Sequence, residues 1–292
     1  MSETTLPPQT IERWAWVGLA WLLTIPITAY RSPLTGQTPP ELEQERREFA
    51  RWLETAPLSP YAILALQPVG RGISIGYEPS DIPLAIGTRG MAQEANGVVT
   101  LDLGTSRLVL PHGRAVPLER YQLVASGAPG RTVIAAYGVA RRHQPPTYFP
   151  YAATLSLGVT LEPPERRGRF RILGLDGVET EATEAGFVRV VLGGTAARLR
   201  VYRIGAPEDE EAGLLIFARD GTSGHGSYPA GRFVELVPEG GQRFRLDFNR
   251  ARNPFCAYSS AYPCPAPWPG NVLPARVEAG EQYPEAPGAT GR

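Results

Sequence analysis

The chain has 292 residues, with 29 acidic and 29 basic side chains and a formal net charge of zero. All of the basic residues are arginine, because the sequence contains no lysine. Enzymes that need a Schiff-base lysine, a pyridoxal phosphate anchor or a phosphate-loop lysine are therefore excluded. The balanced charge provides no basic field, so we expect no nucleic-acid partner. No motif indicates a cofactor, and we expect none.

An apolar segment lies near the N-terminus, at residues 14–30. Its length is at the lower limit for a membrane-spanning helix, which needs about 17 to 25 residues. Trp14 and Tyr30 stand at its two ends, where aromatic rings favour the membrane interface. We predict a signal peptide or membrane anchor over residues 1–31, so that the protein is membrane-anchored or exported. The alternative is a buried helix in a cytoplasmic protein.

One amphipathic helix is predicted next, in a region of linker and helix at residues 32–57. Two prolines precede the pattern, and acidic side chains occupy its first turns. Leu42 and Phe49 then lie on one side of a helix over residues 41–55.

Short alternating segments bounded by Gly, Pro or Asp follow the helix. Such segments without intervening helices predict a mainly β protein with two packed units, each like a sandwich or a barrel. We place these units at residues 58–142 and 143–282, and a disordered tail at residues 283–292. The candidate strands are residues 72–77, 98–103, 107–110, 121–125, 132–139, 154–161, 169–173, 186–192, 197–204, 214–218, 232–236 and 244–248.

The densest chemistry lies at residues 246–281, after the last predicted strand. Repeated prolines deny this stretch a regular ladder, yet it is rich in Asn, Cys, Tyr and Trp. A solvated segment has no need of so many aromatic rings, so we expect an ordered loop packed across the sheet. Such loops are often functional.

This stretch and residues 217–232 carry a family resemblance. The chain resembles the domain-of-unknown-function 1684 family of bacterial and archaeal proteins over about residues 148–281. Three positions depart from the family pattern: Ser227 replaces Thr, Phe233 replaces Tyr, and Arg252 replaces Tyr. The resemblance implies no activity. The matching residues are Phe217, Asp220, Thr222, Ser223, Gly224, Tyr228, Gly231, Arg232, Leu246 to Asn249, Asn253, Pro254, Cys256 to Tyr258, Cys264, Pro265, Pro267, Asn271, Leu273 and Ala279 to Glu281.

Arg232 and polar residues of the loop form the candidate ligand site. An arginine fork suits a carboxylate or phosphate. We therefore expect a small polar or anionic ligand in the C-terminal β unit. The alternative for Arg232 is a buried structural ion pair with Asp247. The predicted ligand-binding residues are Arg232, Asp247, Asn249, Asn253, Cys256 and Tyr258.

Cys256 and Cys264, the two cysteines of the chain, leave several alternatives open. They form a disulfide if the chain is exported, or stay as buried free thiols. No metal site is expected, because two cysteines and three histidines without ligand spacing are too few. The remaining alternative is a nucleophilic Cys256, helped by His225 or Asp247, in a hydrolase or thiol-dependent enzyme. A purely structural envelope protein is the third functional hypothesis.

Overall fold

The computed structural model describes residues 36–283 except residues 142, 166–167, 205–212 and 269. These residues form one α-helix and sixteen strands, so the predicted mainly β fold is confirmed. The apolar segment at residues 14–30 lies outside the described residues, and its role stays a prediction. Among the helices that are described, none is long and apolar enough to cross a membrane. The described chain divides into two compact units, residues 53–141 and residues 36–52 with 143–283.

Helix α1 spans Pro40–Thr55 and agrees with the predicted helix to within one residue at its start. Glu41 and Glu43 lie in its first turn, where carboxylates complement the helix dipole. Leu42 and Phe49 are buried, as their helical spacing predicts. The helix up to Trp52 belongs to the second unit.

The first unit is a sandwich of two sheets. The sheet orders are β3-β2-β4-β5-β6 and β1-β9-β8-β7, and all neighbours are antiparallel except β2 and β3. Ile75 and Leu101 of one sheet share a core with Leu123 and Ile134 of the other. The strands are β1 Ile63–Pro68, β2 Ile73–Gly76, β3 Ile82–Pro83, β4 Arg89–Ala95, β5 Val98–Asp102, β6 Arg107–Leu110, β7 Ala115–Leu118, β8 Tyr121–Ser126 and β9 Val133–Tyr137.

The second unit contains an antiparallel sheet of seven strands in the order β10-β16-β15-β14-β13-β12-β11. Alternate residues of these strands, such as Val188 and Val190, enter one core. Three short 3-10 turns, Ala153–Leu155, Phe248–Arg250 and Phe255–Ala257, flank the sheet. The strands are β10 Ser156–Thr160, β11 Arg169–Leu173, β12 Glu179–Leu192, β13 Thr195–Ile204, β14 Leu214–Ala218, β15 Arg232–Gly240 and β16 Arg243–Asp247.

A bulge in β12 lets the sheet curl. The register with β13 shifts between Glu184 and Gly186. Phe187 then exchanges two backbone hydrogen bonds of 2.8 and 3.1 Å with Glu162, which follows β10. Gly186 has φ +144°, and a Cβ on it would lie 1.9 Å from the carbonyl oxygen of Glu162. The seven-stranded sheet is therefore barrel-like, and its closure depends on glycine at this position.

We predict that Gly186→Ala is far more destabilising than Gly168→Ala. Both glycines have a similar positive φ, +144° and +137°, but nothing lies within 4 Å of a Cβ on Gly168. The Gly168 variant therefore measures the backbone strain alone, about 1 kcal/mol, and the clash at Gly186 raises the loss to about 3 kcal/mol or more. Urea unfolding of both variants measures the difference. Equal losses would contradict the close approach of Glu162.

Candidate functional site

The guanidinium of Arg232, the first residue of β15, is buried among protein oxygens. Its side chain is only 3% exposed. One terminal nitrogen donates to Asp220 Oδ2 and to the carbonyl of Val277, both at 2.8 Å. The other donates to the carbonyls of Ala279 and Glu281. The Nε of Arg232 is also buried and has no hydrogen-bond partner among the described residues. The terminal nitrogens, however, have no free direction for a ligand, so Arg232 fastens residues 277–281, here called the closing segment, to the sheet.

Asp220 is held in place by its own loop. Its Oδ1 accepts hydrogen bonds from the backbone N–H and the hydroxyl of Thr222, at 2.7 and 2.6 Å. The Thr222 hydroxyl also lies 2.7 Å from that of Ser227, and both residues are buried. The loop thus presents a preorganised carboxylate to Arg232.

The predicted ion pair between Arg232 and Asp247 is wrong. Asp247 accepts hydrogen bonds from Asn249 and lies 3.5 Å from Nε of Arg250. Strand register explains the difference. Arg232 pairs with Ala218 of β14, two residues before Asp220, whereas in the ladder of β15 and β16 Leu246 lies opposite Leu236. Asp247 therefore stands several residues along the strand from Arg232.

Asn249 and Asn253 fasten backbone segments. The Asn249 amide accepts from the N–H of Ala152 and donates to its carbonyl, both at 2.9 Å. The Asn253 amide donates to the carbonyl of Gln282 at 3.1 Å, and in the described part of the chain no group donates to its buried Oδ1. Both side chains were predicted to bind a ligand, but their amide groups mainly form hydrogen bonds with the protein backbone.

Glu281 lies beside Asn253 and Tyr258 and bonds to both, although it was not among the predicted site residues. Its carboxylate accepts from the Tyr258 hydroxyl at 2.5 Å and from the backbone N–H of Asn253 at 2.8 Å. Burial raises the pKa of Glu281 to about 7, against the opposing effect of these two hydrogen bonds. The closing A-G-E motif of the family pattern was the one sequence signal for this residue. The Tyr258 hydroxyl therefore donates its hydrogen to Glu281 and not to a ligand.

Cys256 and Cys264 form a disulfide, with their Cα atoms 5.5 Å apart. The sequence left open a disulfide, two buried thiols or a nucleophilic Cys256. Because the disulfide leaves no free thiol, Cys256 cannot act as a nucleophile in the oxidised protein. Among the described residues, no group of three His, Cys, Asp or Glu could hold a metal ion. His225 lies exposed in the loop that carries Asp220. The disulfide therefore links two positions within residues 248–281, and its cysteines take no part in catalysis in this form.

A small cleft in the second unit is lined by side chains from α1, by Tyr148, and by residues at the start of the signature loop, which is the name used here for residues 248–281. It holds a space of about 10 Å³, roughly that of one water molecule. Three of its lining residues are arginines and one is a glutamate, so the lining carries a net positive charge. The lining residues are Leu42, Glu45, Arg46, Tyr148, Asn249, Arg250 and Arg252.

Arg46 is the cation that α1 contributes to this cleft. Its guanidinium lies 4.1 Å from the ring centroid of Tyr148 and donates to the carbonyl of Asn249 at 3.2 Å. Its Nε is buried, and no described residue accepts a hydrogen bond from it. Burial lowers the pKa of Arg46, yet an arginine remains charged at neutral pH. One donor of a charged group is therefore unsatisfied here.

The other two arginines differ in their partners. Arg250 forms an ion pair with Glu45 of α1. Arg252 places its guanidinium 4.4 Å from the ring centroid of Phe49. Among the described residues, no carboxylate forms an ion pair with Arg252, although Glu235 and Glu281 interact with it electrostatically. In the sequence, Arg252 is marked only by its departure from the family pattern, and no motif connects it with Arg46, about 200 residues earlier.

We predict that Arg232→Gln lowers the free energy of unfolding by about 3 to 5 kcal/mol, because it leaves a buried carboxylate and several carbonyls without their cation. Arg169→Gln is the matched control, since Arg169 pairs with Glu181 on the exposed surface and should stay close to the wild type. Urea unfolding measures both. A stable Arg232→Gln variant would contradict the structural role.

We predict that the stability of the wild type relative to Glu281→Gln falls by about 3 kcal/mol as the pH rises from 4.5 to 7. The folded protein retains a proton on Glu281 that the unfolded chain releases near pH 4.5, so the stabilisation is complete below that pH and is lost as the pH rises through the folded pKa. Urea midpoints of both proteins between pH 4 and 8.5 provide the test. A difference that does not change with pH would show that Glu281 has an ordinary pKa.

Residues 143–282 match the model of a family described as a protein of unknown function, DUF1684. An uncharacterised protein of Haloarcula marismortui, solved by solution NMR, is 31% identical to this chain. The match covers 48% of this chain and 76% of that one, with a TM-score of 0.41. No curated protein matches the chain. The predicted resemblance to the DUF1684 family is confirmed over residues 143–282.

Proposed function

We propose that the second unit binds a small anionic ligand at the arginine cleft, with Arg46 and Arg252 as the contacting cations. One observation carries the proposal: two arginines with incomplete pairing meet in one open cleft. Among the described residues, no group accepts a hydrogen bond from the buried Nε of Arg46. Arg252 lies over an aromatic ring and interacts electrostatically with Glu235 and Glu281, but it forms no ion pair with the described residues.

The chemistry of these two groups favours a carboxylate or a phosphate. A guanidinium is planar and always charged, and its donors form a fork that matches two oxygens of such an anion. Arg250 contributes less, because Glu45 already neutralises it. The net positive charge of the lining also favours an anion over a neutral ligand.

The size of the cleft limits what enters it. A space of about 10 Å³ accommodates a single water molecule. The ligand therefore places one oxygen of its charged group in this space, which has room for a single oxygen atom, and the remainder of the ligand lies outside. A small carboxylic acid, a phosphate or a phosphate ester has this shape.

The proposal keeps the predicted ligand class but moves the site. Four predicted site residues use their side chains for hydrogen bonds within the protein: Arg232, Asn249, Asn253 and Tyr258. Asn249 still lines the cleft, and its carbonyl accepts from Arg46. The thiol-enzyme alternative is weakened because Cys256 is in a disulfide, and no observation favours another nucleophile.

We predict that phosphate, sulfate, acetate or citrate raises the melting temperature of the protein at low salt, and that Arg252→Gln abolishes the rise. A ligand at 100 times its Kd adds about 2.7 kcal/mol, which corresponds to a shift of roughly 5 to 10 °C. Arg245→Gln is the matched control. Arg245 pairs with Glu239 at the surface, outside the residues that line the cleft, and this variant should respond like the wild type.

Two outcomes would contradict the proposal. If the Arg252→Gln variant responds to the anions as strongly as the wild type, binding occurs elsewhere. If no anion shifts the wild type, the structural envelope hypothesis is favoured instead.

A further inference from the structure

We propose that the arginine cleft takes up a proton together with its anion, and that Glu281 is the group that receives the proton. The affinity for the anion then falls as the pH rises through neutrality. This inference rests on the proposed function and adds the pH dependence of the same site.

Glu281 lies against the part of the chain that carries Arg252. Its backbone N–H donates to the carbonyl of Ala251 at 2.9 Å, and its carboxylate accepts from the N–H of Asn253 at 2.8 Å. Arg252 stands between these two residues in the chain, and its charge acts on the Glu281 carboxylate. A buried carboxylic acid is therefore fixed beside one of the two proposed contacting cations.

Glu281 is the group of this cluster that changes its charge near neutral pH. It is 1% exposed, and burial raises its pKa to about 7. The hydroxyl of Tyr258, 2.5 Å from the carboxylate, keeps its proton because burial holds the pKa of the phenol well above its usual value. The arginines remain charged throughout this range. The proton is therefore gained or lost at the Glu281 carboxyl.

Two further residues with charged or titratable side chains contact Glu281. Arg232 of β15 donates to its carbonyl, but the Arg232 guanidinium forms an ion pair with Asp220. Tyr148 pairs with Glu281 through an isolated backbone bridge. Among the described residues near Glu281, Arg252 is therefore the cation whose charge no ion pair offsets.

A second carboxylate, Glu235 of β15, also interacts with Arg252. Glu235 is exposed, so water and salt screen its charge more than that of the buried Glu281. The remaining carboxylates close to the cleft, Glu45 and Asp247, pair with Arg250. We therefore expect Glu281 to affect Arg252 most, and Glu235 provides the comparison.

The charge of Glu281 determines how much of the Arg252 charge an anion meets. A protonated Glu281 is neutral and leaves the positive charge of Arg252 to the anion. An ionised Glu281 offsets that charge and repels the anion, and its burial limits the screening of this repulsion. By linkage, the bound anion in turn favours the protonated carboxyl by the same factor. Binding is therefore strongest at a pH below the pKa of Glu281 and weakens above it.

Calorimetric titration of the full chain with sulfate at pH 6 and at pH 8.5 tests the inference. Sulfate keeps its charge over this range, whereas phosphate changes its own protonation. We expect the wild type to bind sulfate about tenfold more weakly at pH 8.5, within the usual range of coupling between sites. Glu281→Gln keeps the side chain neutral at both pH values, so its affinity should stay close to that of the wild type at pH 6.

Glu235→Gln is the matched control, because it removes the other carboxylate that interacts with Arg252. This variant should keep the pH dependence of the wild type. The three histidines of the chain also titrate in this range. Both variants retain them, so the histidines cannot account for a difference between the two variants.

A measurement on the wild type does not depend on the stability of any variant. The ¹³C chemical shift of the Glu281 carboxyl carbon follows its protonation directly. Saturating sulfate should move the midpoint of this titration upward by about one pH unit, which corresponds to the tenfold change in affinity.

Four outcomes would overturn the role of Glu281 and leave the anion site standing. Sulfate leaves the midpoint of the Glu281 titration unmoved, or the wild type binds sulfate equally at both pH values. Alternatively, Glu281→Gln keeps the pH dependence of the wild type, or Glu235→Gln removes it. No sulfate binding by the wild type at pH 6 overturns both the proton uptake and the proposed function.

Discussion

The buried guanidinium of Arg232 organises the signature region. Three backbone carbonyls of the closing segment and the carboxylate of Asp220 all point at one cation. Without it, these oxygens would be buried with no donor, which costs several kcal/mol. Most of the closing segment runs outside the strand ladders, so the side chain of Arg232 takes the place of the hydrogen bonds that a further strand would have supplied.

The position of Glu281 follows from this arrangement. Arg232 binds the carbonyl of Glu281, and the Glu281 side chain receives the Tyr258 hydroxyl and the Asn253 N–H. Tyr258 in turn contacts Phe49 of α1. A chain of buried contacts therefore connects β15 with the helix and so with the arginine cleft. Arg232, Tyr258 and Glu281 match the family pattern and support the cleft. Its arginines Arg46 and Arg252 do not match that pattern.

Strands and helix could be predicted from local patterns, whereas the partners of polar residues could not. Alternation identified the strand that begins at Arg232, and the prolines identified an ordered loop after Asp247. The patterns missed β1, β3, β4 and β7 of the first unit. They also missed the first half of β12, Glu179–Leu192, because its early residues are mainly charged or small and the bulge at Gly186 interrupts the alternation. The partner of Arg232 was mistaken because two aspartates were available and only strand register distinguishes them. Arg46 was missed because it reaches the cleft from a distant helix.

The central claim is that anions bind at Arg46 and Arg252 and that Arg232 is structural. Titration of ¹⁵N-labelled oxidised protein with inorganic phosphate, followed by amide chemical shifts, tests this most directly. We predict saturable shifts at residues that line the cleft, including Arg46, Tyr148 and Arg252, while Thr222 and Ala279 beside Arg232 do not move. Shifts centred on Thr222 and Ala279, with the cleft unaffected, would contradict the account.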